Sequence, residues 1–589
     1  IPLAEANTSM TINAPAMWLL ALYVTVAEEQ AEAEGRDVDE VLAKLTGTTQ
    51  NDIIKEYLSR GTYIFPPAPS LRLITDMIAW TVHHVPKWNP TNICSYHLQE
   101  AGATPTQEVA YAMCTAIAVL DAVRDSGQVD AEDMAKVVSR ISFFVNAGVR
   151  FVEEMCKMRA FVELWDEFTR DRYGVTDAKA RRFRYGVQVN SLGLTEAQPE
   201  NNIQRIVLEM LAVSLSRNAR ARAIQLPAWN EALGLPRPWD QQWALRMQQV
   251  LAFETDLLEY EDIFDGSTVI QARVDEIIAG AREEIERVQD MGGAVAAVES
   301  GYMKSALVSS LGEYRRKVES GEQVLVGVNK FDTTEPSPLQ AEGANAIETV
   351  DAAVEKHAIE RLEKWRADRD SAAATSALGK LKDVAATSGN LFEATIDCAR
   401  EGVTTGEWAG ALREVFGEYR APTGVSASST VGAAAELAAV RERVKVTGDE
   451  LGERLRMLVG KPGLDGHSNG AEQIAVRARD VGFEVIYQGI RLTPEQIVAA
   501  AVQEGVHVVG LSVLSGSHLE VVPEVIDGLR AAGAGDIPVI VGGIIPSDDA
   551  KLLTERGIAR VFTPKDYELT GIMDEIVNVV RESHGLAGS

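Results

Sequence analysis

The residues best suited to chemistry stand near the C-terminus, in the loop "KPGLDGHSNG" from Lys461 to Gly470, directly after the apolar run "RMLV". Glycine-rich backbone lets a side chain project from a sheet edge, so His467 can approach a metal. Asp465, two residues earlier, can take the proton of its other ring nitrogen. A carboxylate partner of this kind fixes the tautomer of a metal-bound imidazole and raises its basicity. One histidine with no second ligand nearby cannot build a zinc site, so the metal has to arrive already held by a cofactor.

A second group of polar residues falls at the ends of strand-like runs. In "PTNICSYHLQEAGATPTQEVAYAM" an apolar strand ends near Ser95, and a capping box at Thr104-Pro105-Thr106-Gln107 opens a helix. His97 therefore lies just past a strand's carboxyl end. "RISFFVNAG" and "RYGVQVNSLGLTEAQ" have the same form, with Arg140 and Gln188 near their strands. Polar residues repeated at such positions predict a (β/α)8 barrel from the start to about Val328, with its site at the C-terminal face.

The elements that must position these groups follow from composition and periodicity. With 589 residues and 46% apolar content, the chain is long enough for at least two domains. A formal charge of -29, from 57 basic and 86 acidic residues, would repel a phosphate backbone, which argues against nucleic acid as a partner. Cys94, Cys114, Cys156 and Cys398 are scattered, with no C-x-x-C pair, as suits a reducing, cytoplasmic setting. The longest apolar run, Met17 to Ala27, is short of the roughly 20 residues a membrane helix needs. The last third alternates β-branched runs with helical stretches: Arg454 to Val459, Glu484 to Gly489, Val506 to Leu514, Ile537 to Gly543 and Ala559 to Thr563 read as strands of a parallel, flavodoxin-like or Rossmann-like sheet. In such sheets ligands sit beyond the carboxyl strand ends, here the loops "GKPGLDGHSNG", "SVLSGS" and "GGIIPS". Residues 1–334, 335–447 and 448–589 then divide into barrel, helical linker with a flexible "APTGVSASST", and C-terminal domain.

A metal held by a single histidine describes cobalt in a corrin ring. The run Asp465-Gly466-His467-Ser468-Asn469-Gly470 resembles the D-x-H-x-x-G motif of cobalamin-binding domains, and Ser512 to Leu514 and Gly542-Gly543 resemble that family's second and third signatures. The resemblance implies that His467 becomes the lower cobalt ligand, that the displaced nucleotide tail threads beside Ser512, Leu514, Gly542 and Gly543, and that Lys461 is a further partner of Asp465. A response-regulator-like or nucleotide-binding sheet would also have one glycine-rich loop, but the chain has no Walker motif. His507 and His518, one in an apolar strand and one starting a helix, read as structural and partnerless.

The barrel stretches "GTTQNDIIKEYLSRGTYIFPPAPSLR", "YHLQEAGA", "SLGLTEAQPENN", "NEALGLP" and "VGVNKF" resemble the adenosylcobalamin-dependent acyl-CoA mutases, the methylmalonyl-CoA mutase superfamily, over almost the whole chain. The resemblance implies a radical carbon-skeleton isomerase started by homolysis of a Co–C bond. It implies that Gln50 and Arg60 hold the substrate carboxylate, that His97 hydrogen-bonds the thioester carbonyl, that Arg140 and Ser142 clamp the coenzyme A arm, that Gln188 lines the pocket and that Glu231 contacts the adenosyl ribose. It further implies a homodimer and a separate metallochaperone GTPase, and it places the first barrel strands and a tyrosine upstream of Ile1. Arg60-Gly61-Thr62-Tyr63 and Ser95-Tyr96-His97, where the methylmalonyl branch reads Arg-Asn-Thr-Tyr and Ser-Gly-Tyr-His, make the chain most similar to the branch that converts ethylmalonyl-CoA to methylsuccinyl-CoA, with space for one methylene expected at Gly61. Methylmalonyl-CoA or another acyl-CoA is the alternative substrate. A cobalamin methyltransferase or sensor module is the alternative class, and the scattered cysteines supply no zinc thiolates for the former.

Overall fold

Alternation along "ISFFVNA" shows how the first sheet is built. In the computed structural model, which describes residues 1–332, 353–424, 435–464, 466–513 and 517–586, this run is strand β5 (Ile141–Ala147). Phe143 faces outward, its ring 4.9 Å from that of Trp165 on the helix Phe151–Asp171. Ser142, Phe144 and Asn146 therefore take the opposite, inward face. The sheet contains β1 (Asn7–Thr11), β2 (Thr46–Gln50), β3 (Trp88–Asn89), β4 (Thr91–Cys94), β5, β6 (Tyr185–Val189) and β7 (Ala223–Gln225). The strands pair in parallel, in the orders β1-β2-β3 and β4-β5-β6-β7. Between β3 and β4 stands Pro90 alone, whose missing N–H splits one row of strands into two ladders. Asn51 closes the break by donating to Pro90 O at 2.8 Å, and Asp52 Oδ2 accepts from Cys94 N at 2.9 Å.

Helices cover the outer face. The helix Pro105–Asp125 starts on the expected box, with Thr104 Oγ1 accepting from Gln107 N and Gln107 Oε1 from Thr104 N. Part of the segment expected as linker helices is built into a core. Ala374, Ala377, Leu381 and Ala385 form one buried stripe on the helix Ser371–Ala385, and with Phe392 and Trp408 they join the helix Ala16–Ala33 around Trp18. Alanine-rich helices with such a stripe pack closely. The start of the linker and the stretch from Val425 in "APTGVSASST" lie outside the described residues.

The C-terminal unit is the expected parallel sheet: β8 (Arg456–Gly460), β9 (Glu484–Tyr487), β10 (Val508–Ser512), β11 (Val539–Gly542) and β12 (Arg560–Phe562). Its order is β12-β11-β10-β8-β9, so the chain leaves β8 for one side and returns to β10 on the other. Loops diverge at that switch point and leave a crevice beyond the strand ends. His507 and His518 do have partners: His507 Nδ1 accepts from Arg456 N at 3.0 Å, and His518 Nε2 lies 2.9 Å from Asp549 Oδ2. A buried imidazole needs such satisfaction, which a sequence does not display.

Candidate active site

The inward faces of the first sheet form a polar lining. Ser9 and Thr11 on β1 are exposed there, as are Ala223 and Gln225 on β7. Asn92 on β4 donates to Ser142 Oγ on β5 at 2.9 Å, and Gly186 on β6 lies against Phe144, where a Cβ would come within 2.9 Å of the ring. A packed barrel interior is filled by branched apolar side chains. Small polar ones leave room for a slender polar molecule.

The predicted residues distribute along this lining. Arg140 directly precedes β5 and Ser142 is its second residue, so both lie toward the amino ends of the strands. Arg140 donates to Lys87 O at 3.4 Å. Arg184 and Arg222, which the sequence reading missed, directly precede β6 and β7. Burial, then the nearby charges of Arg140 and Arg222, pull the Arg184 guanidinium down to about 10. Gln50, Gln188 and His97 gather at the carboxyl ends instead. Gln50 ends β2 and accepts from Asn13 Nδ2 at 3.2 Å, and Gln188 donates to Val189 O at 3.3 Å. His97 is buried on the turn Tyr96–Glu100, with its Nδ1 3.6 Å from Cys94 Sγ. Burial, then the charges of Lys55, Arg60 and His467, holds its pKa well below the usual histidine value, so the ring is neutral and can donate one N–H.

Over this end sits the loop after β8. Arg60 closes the π-turn Glu56–Arg60, and its guanidinium meets the His467 ring, Nη1 3.3 Å from Nδ1, with Glu100 Oε2 3.7 Å from Nη2. Burial opposes the charge on Arg60, but Glu100, Tyr96 and Glu56 raise its pKa above the ordinary value. Gly61 adopts φ 60°, and the space its missing side chain leaves is taken by Ile490, whose Cδ1 would lie 2.6 Å from a Cβ. The space expected there for a substrate methylene therefore faces the C-terminal unit. Lys304, buried, pairs with Glu472 at 2.6 Å and donates to Leu58 O at 2.8 Å, while Asn469 Nδ2 donates to Glu100 O at 2.7 Å. Glu231 opens a short turn after β7. Burial raises its pKa, partly offset by a hydrogen bond from Ser191.

The loops beyond the strand ends of the C-terminal unit hold the residues expected to bind the cofactor. Lys461 is fully buried just past β8; Ser512 ends β10 and Gly542 ends β11. Among the described residues a Cβ on Gly542 would meet nothing within 4 Å, and one on Gly470 only Ser512 Oγ at 3.8 Å. Gly543 has no such freedom: a Cβ would stand 1.7 Å from Val513 O. Gly466 packs against Arg60 O, 2.7 Å from a built Cβ. Asp465 and Leu514 lie outside the described residues. A single imidazole in a glycine-rich loop is a donor set for a metal that comes within its own ring.

Two family models match the chain: Methylmalonyl-CoA mutase over residues 1–418 and B12 binding domain over residues 455–572. The chain belongs to the methylmalonyl-CoA mutase family. It is a B12-dependent acyl-CoA mutase, an isomerase. The mutase is 62% identical to the ethylmalonyl-CoA mutase of Methylorubrum extorquens, covering 99% of this chain and 83% of that protein. It is 60% identical to the ethylmalonyl-CoA mutase of Cereibacter sphaeroides, covering 98% and 87%. It is 35% identical to the methylmalonyl-CoA mutase of Escherichia coli, covering 99% and 80%. No helix among the described residues is long and apolar enough to cross a membrane.

Proposed function

We propose that the mutase rearranges ethylmalonyl-CoA to methylsuccinyl-CoA with adenosylcobalamin, and that the first sheet belongs to a (β/α)8 barrel. One observation carries the reading: the polar inner face of the strands runs from Arg140 and Ser142 at one end to Gln50, Gln188 and His97 at the other, directly beneath His467. A seven-residue strand spans on the order of 20 Å, which suits the arm of an acyl-CoA lying along the lumen. Greater identity to the two ethylmalonyl-CoA mutases than to the methylmalonyl-CoA mutase supports the substrate.

Bound adenosylcobalamin would supply homolysis of its Co–C bond and a primary carbon radical to abstract hydrogen. The chain's own groups bind, orient and exclude water. His467, Lys461, Gly466, Gly470, Ser512, Gly542 and Gly543 would hold the cofactor, with Asp465 and Leu514, and Glu231 would meet its ribose. Gln50 and Arg60 would hold the free carboxylate and neutral His97 would donate to the thioester carbonyl. Arg140 and Ser142 would clamp the coenzyme A arm, with Gln188 beside the acyl group. A homodimer and a separate GTPase chaperone belong to the same reading. One methylene in an apolar pocket is worth about 1–3 kcal/mol, so slower turnover of methylmalonyl-CoA is expected. Comparing kcat/KM for the two substrates on the complete protein tests this: a clear preference for methylmalonyl-CoA overturns the substrate but not the class.

A further inference from the structure

Asn146 is fully buried, and among the described residues neither its Oδ1 nor its Nδ2 has a hydrogen-bond partner. Its backbone is held firmly. Its N–H donates to Glu108 Oε1 at 3.0 Å and its C=O accepts from Lys157 Nζ at 2.8 Å, both within a buried charged network. The side chain is therefore pre-positioned and left unsatisfied at the same place, a costly arrangement that native interiors rarely retain. By strand alternation the carboxamide shares the inward face of Ser142 and Phe144. It stands in register with Gln188, which is itself in register with Gln225. Three carboxamides thus share one level of the inner face, toward the carboxyl ends and close to the turn that carries His97.

We propose that Asn146 is a substrate-contacting residue whose Nδ2–H donates to an oxygen of a dicarboxylic acyl thioester, which supplies the bond the free protein lacks. This rests on the acyl-CoA mutase reading of the same lumen. A carboxamide is suited to the task because it holds an oxygen without supplying a proton or a nucleophile, which a radical rearrangement does not need. Beside Gln188, it discriminates against an acyl group that offers no oxygen at that level, since the Asn146 amide would then stay unpaired.

The test uses the complete protein, parent and variants Asn146→Val and Asn146→Asp, free of cobalamin so that the probe is not consumed. Succinyl-CoA, a dicarboxylic acyl thioester, and coenzyme A alone are titrated calorimetrically. The expected result is an affinity for succinyl-CoA at least about tenfold lower in both variants, with coenzyme A affinity unchanged. Asn146→Val should also have a higher Tm than the parent, because it removes an orphaned amide. Unchanged succinyl-CoA affinity in a folded variant overturns the proposal, as does an equal loss for coenzyme A. If Asn146→Val does not fold, isosteric Asn146→Asp gives the same decision, its carboxylate repelling the probe's oxygen. A parent that neither binds succinyl-CoA nor turns over any dicarboxylic acyl-CoA overturns the function as well, whereas an active parent matched by its variants overturns the role of Asn146 alone.

Discussion

Arg60 of the mutase domain reaches His467 of the B12-binding domain, with its guanidinium Nη1 3.3 Å from the imidazole Nδ1. Glu100 backs the arginine from below at 3.7 Å. The ring proposed to bind cobalt is thus engaged by a cation of the opposite domain, and the same arginine is the proposed holder of the substrate carboxylate. The two roles exclude one another in time: a guanidinium turned to His467 is not turned into the lumen.

Arg60→Ala should therefore separate cofactor uptake from substrate binding. Cobalamin added to the variant should convert to its histidine-ligated form faster than with the parent, read by stopped-flow absorbance. KM for the dicarboxylic acyl-CoA should rise by about tenfold or more through loss of a charge-assisted pair. An unchanged uptake rate would show that the contact does not restrain the ring.

His467→Ala should weaken cobalamin binding and remove the protein-derived nitrogen from cobalt. The electron paramagnetic resonance spectrum of bound cob(II)alamin checks this through its superhyperfine splitting. A nitrogen splitting that survives the substitution, with cobalamin still base-off, would assign the ligand elsewhere.

The sheet of the C-terminal unit was legible in the sequence because parallel strands buried on both faces read as short β-branched runs, and each of the five lies within a predicted run or at most one residue beyond it. The placement of His97 was legible for the same reason, being a strand end followed by a capped helix. The partners of these residues were not. Glu100 is three residues after His97 in "YHLQEAGA" and could have been proposed by helical spacing, but its contact with Arg60 is across forty residues of chain. Lys304 and Glu472 meet only when the two domains dock. The orphaned amide of Asn146 has no local signal at all, because satisfaction is a property of the folded interior.

His97→Ala, in the complete enzyme, should lower kcat by about a hundredfold while cobalamin still binds, the cost of one donor to a carbonyl whose charge changes in the reaction. Cobalamin absorbance reports binding and product formation reports turnover. Equal turnover in variant and parent would leave His97 a structural residue.

Asp52 joins two loops, with Oδ1 accepting from Lys55 N at 3.1 Å and Oδ2 from Cys94 N at 2.9 Å. Burial, opposed by Lys55 and by those two bonds, raises its pKa to about 6. A carboxyl whose folded pKa lies above its unfolded value adds stability below the unfolded pKa and loses it as pH rises through the folded one. The window here is from about pH 4 to about pH 6. Asp52→Asn lacks this linkage, so between pH 5 and pH 7 the parent should lose stability relative to the variant, on the order of 1 kcal/mol. Urea denaturation at the two pH values measures it, and parallel pH dependence of the two proteins would refute the shift.

Lys304 reaches the C-terminal unit through two contacts, Glu472 Oε1 at 2.6 Å and Ser468 Oγ at 3.4 Å, and is held on its own side by Leu58 O at 2.8 Å, with both charged side chains about 5% exposed. Breaking a buried pair by removing one partner leaves the other charge uncompensated, a cost of about 3–5 kcal/mol, whereas replacing both by apolar groups is often neutral. Lys304→Met should therefore loosen the docking of the cobalamin-binding unit, and the double variant Lys304→Met/Glu472→Leu should restore much of it. Because the His467 loop is held on the mutase domain by the same contacts, the single variant should bind cobalamin but turn over slowly, its two halves no longer aligned. Limited proteolysis between residues 425 and 455 reads the docking directly: faster cleavage in Lys304→Met than in either the parent or the double variant is the expected order, and cleavage at the parent rate in the single variant would show that the pair does not hold the domains together.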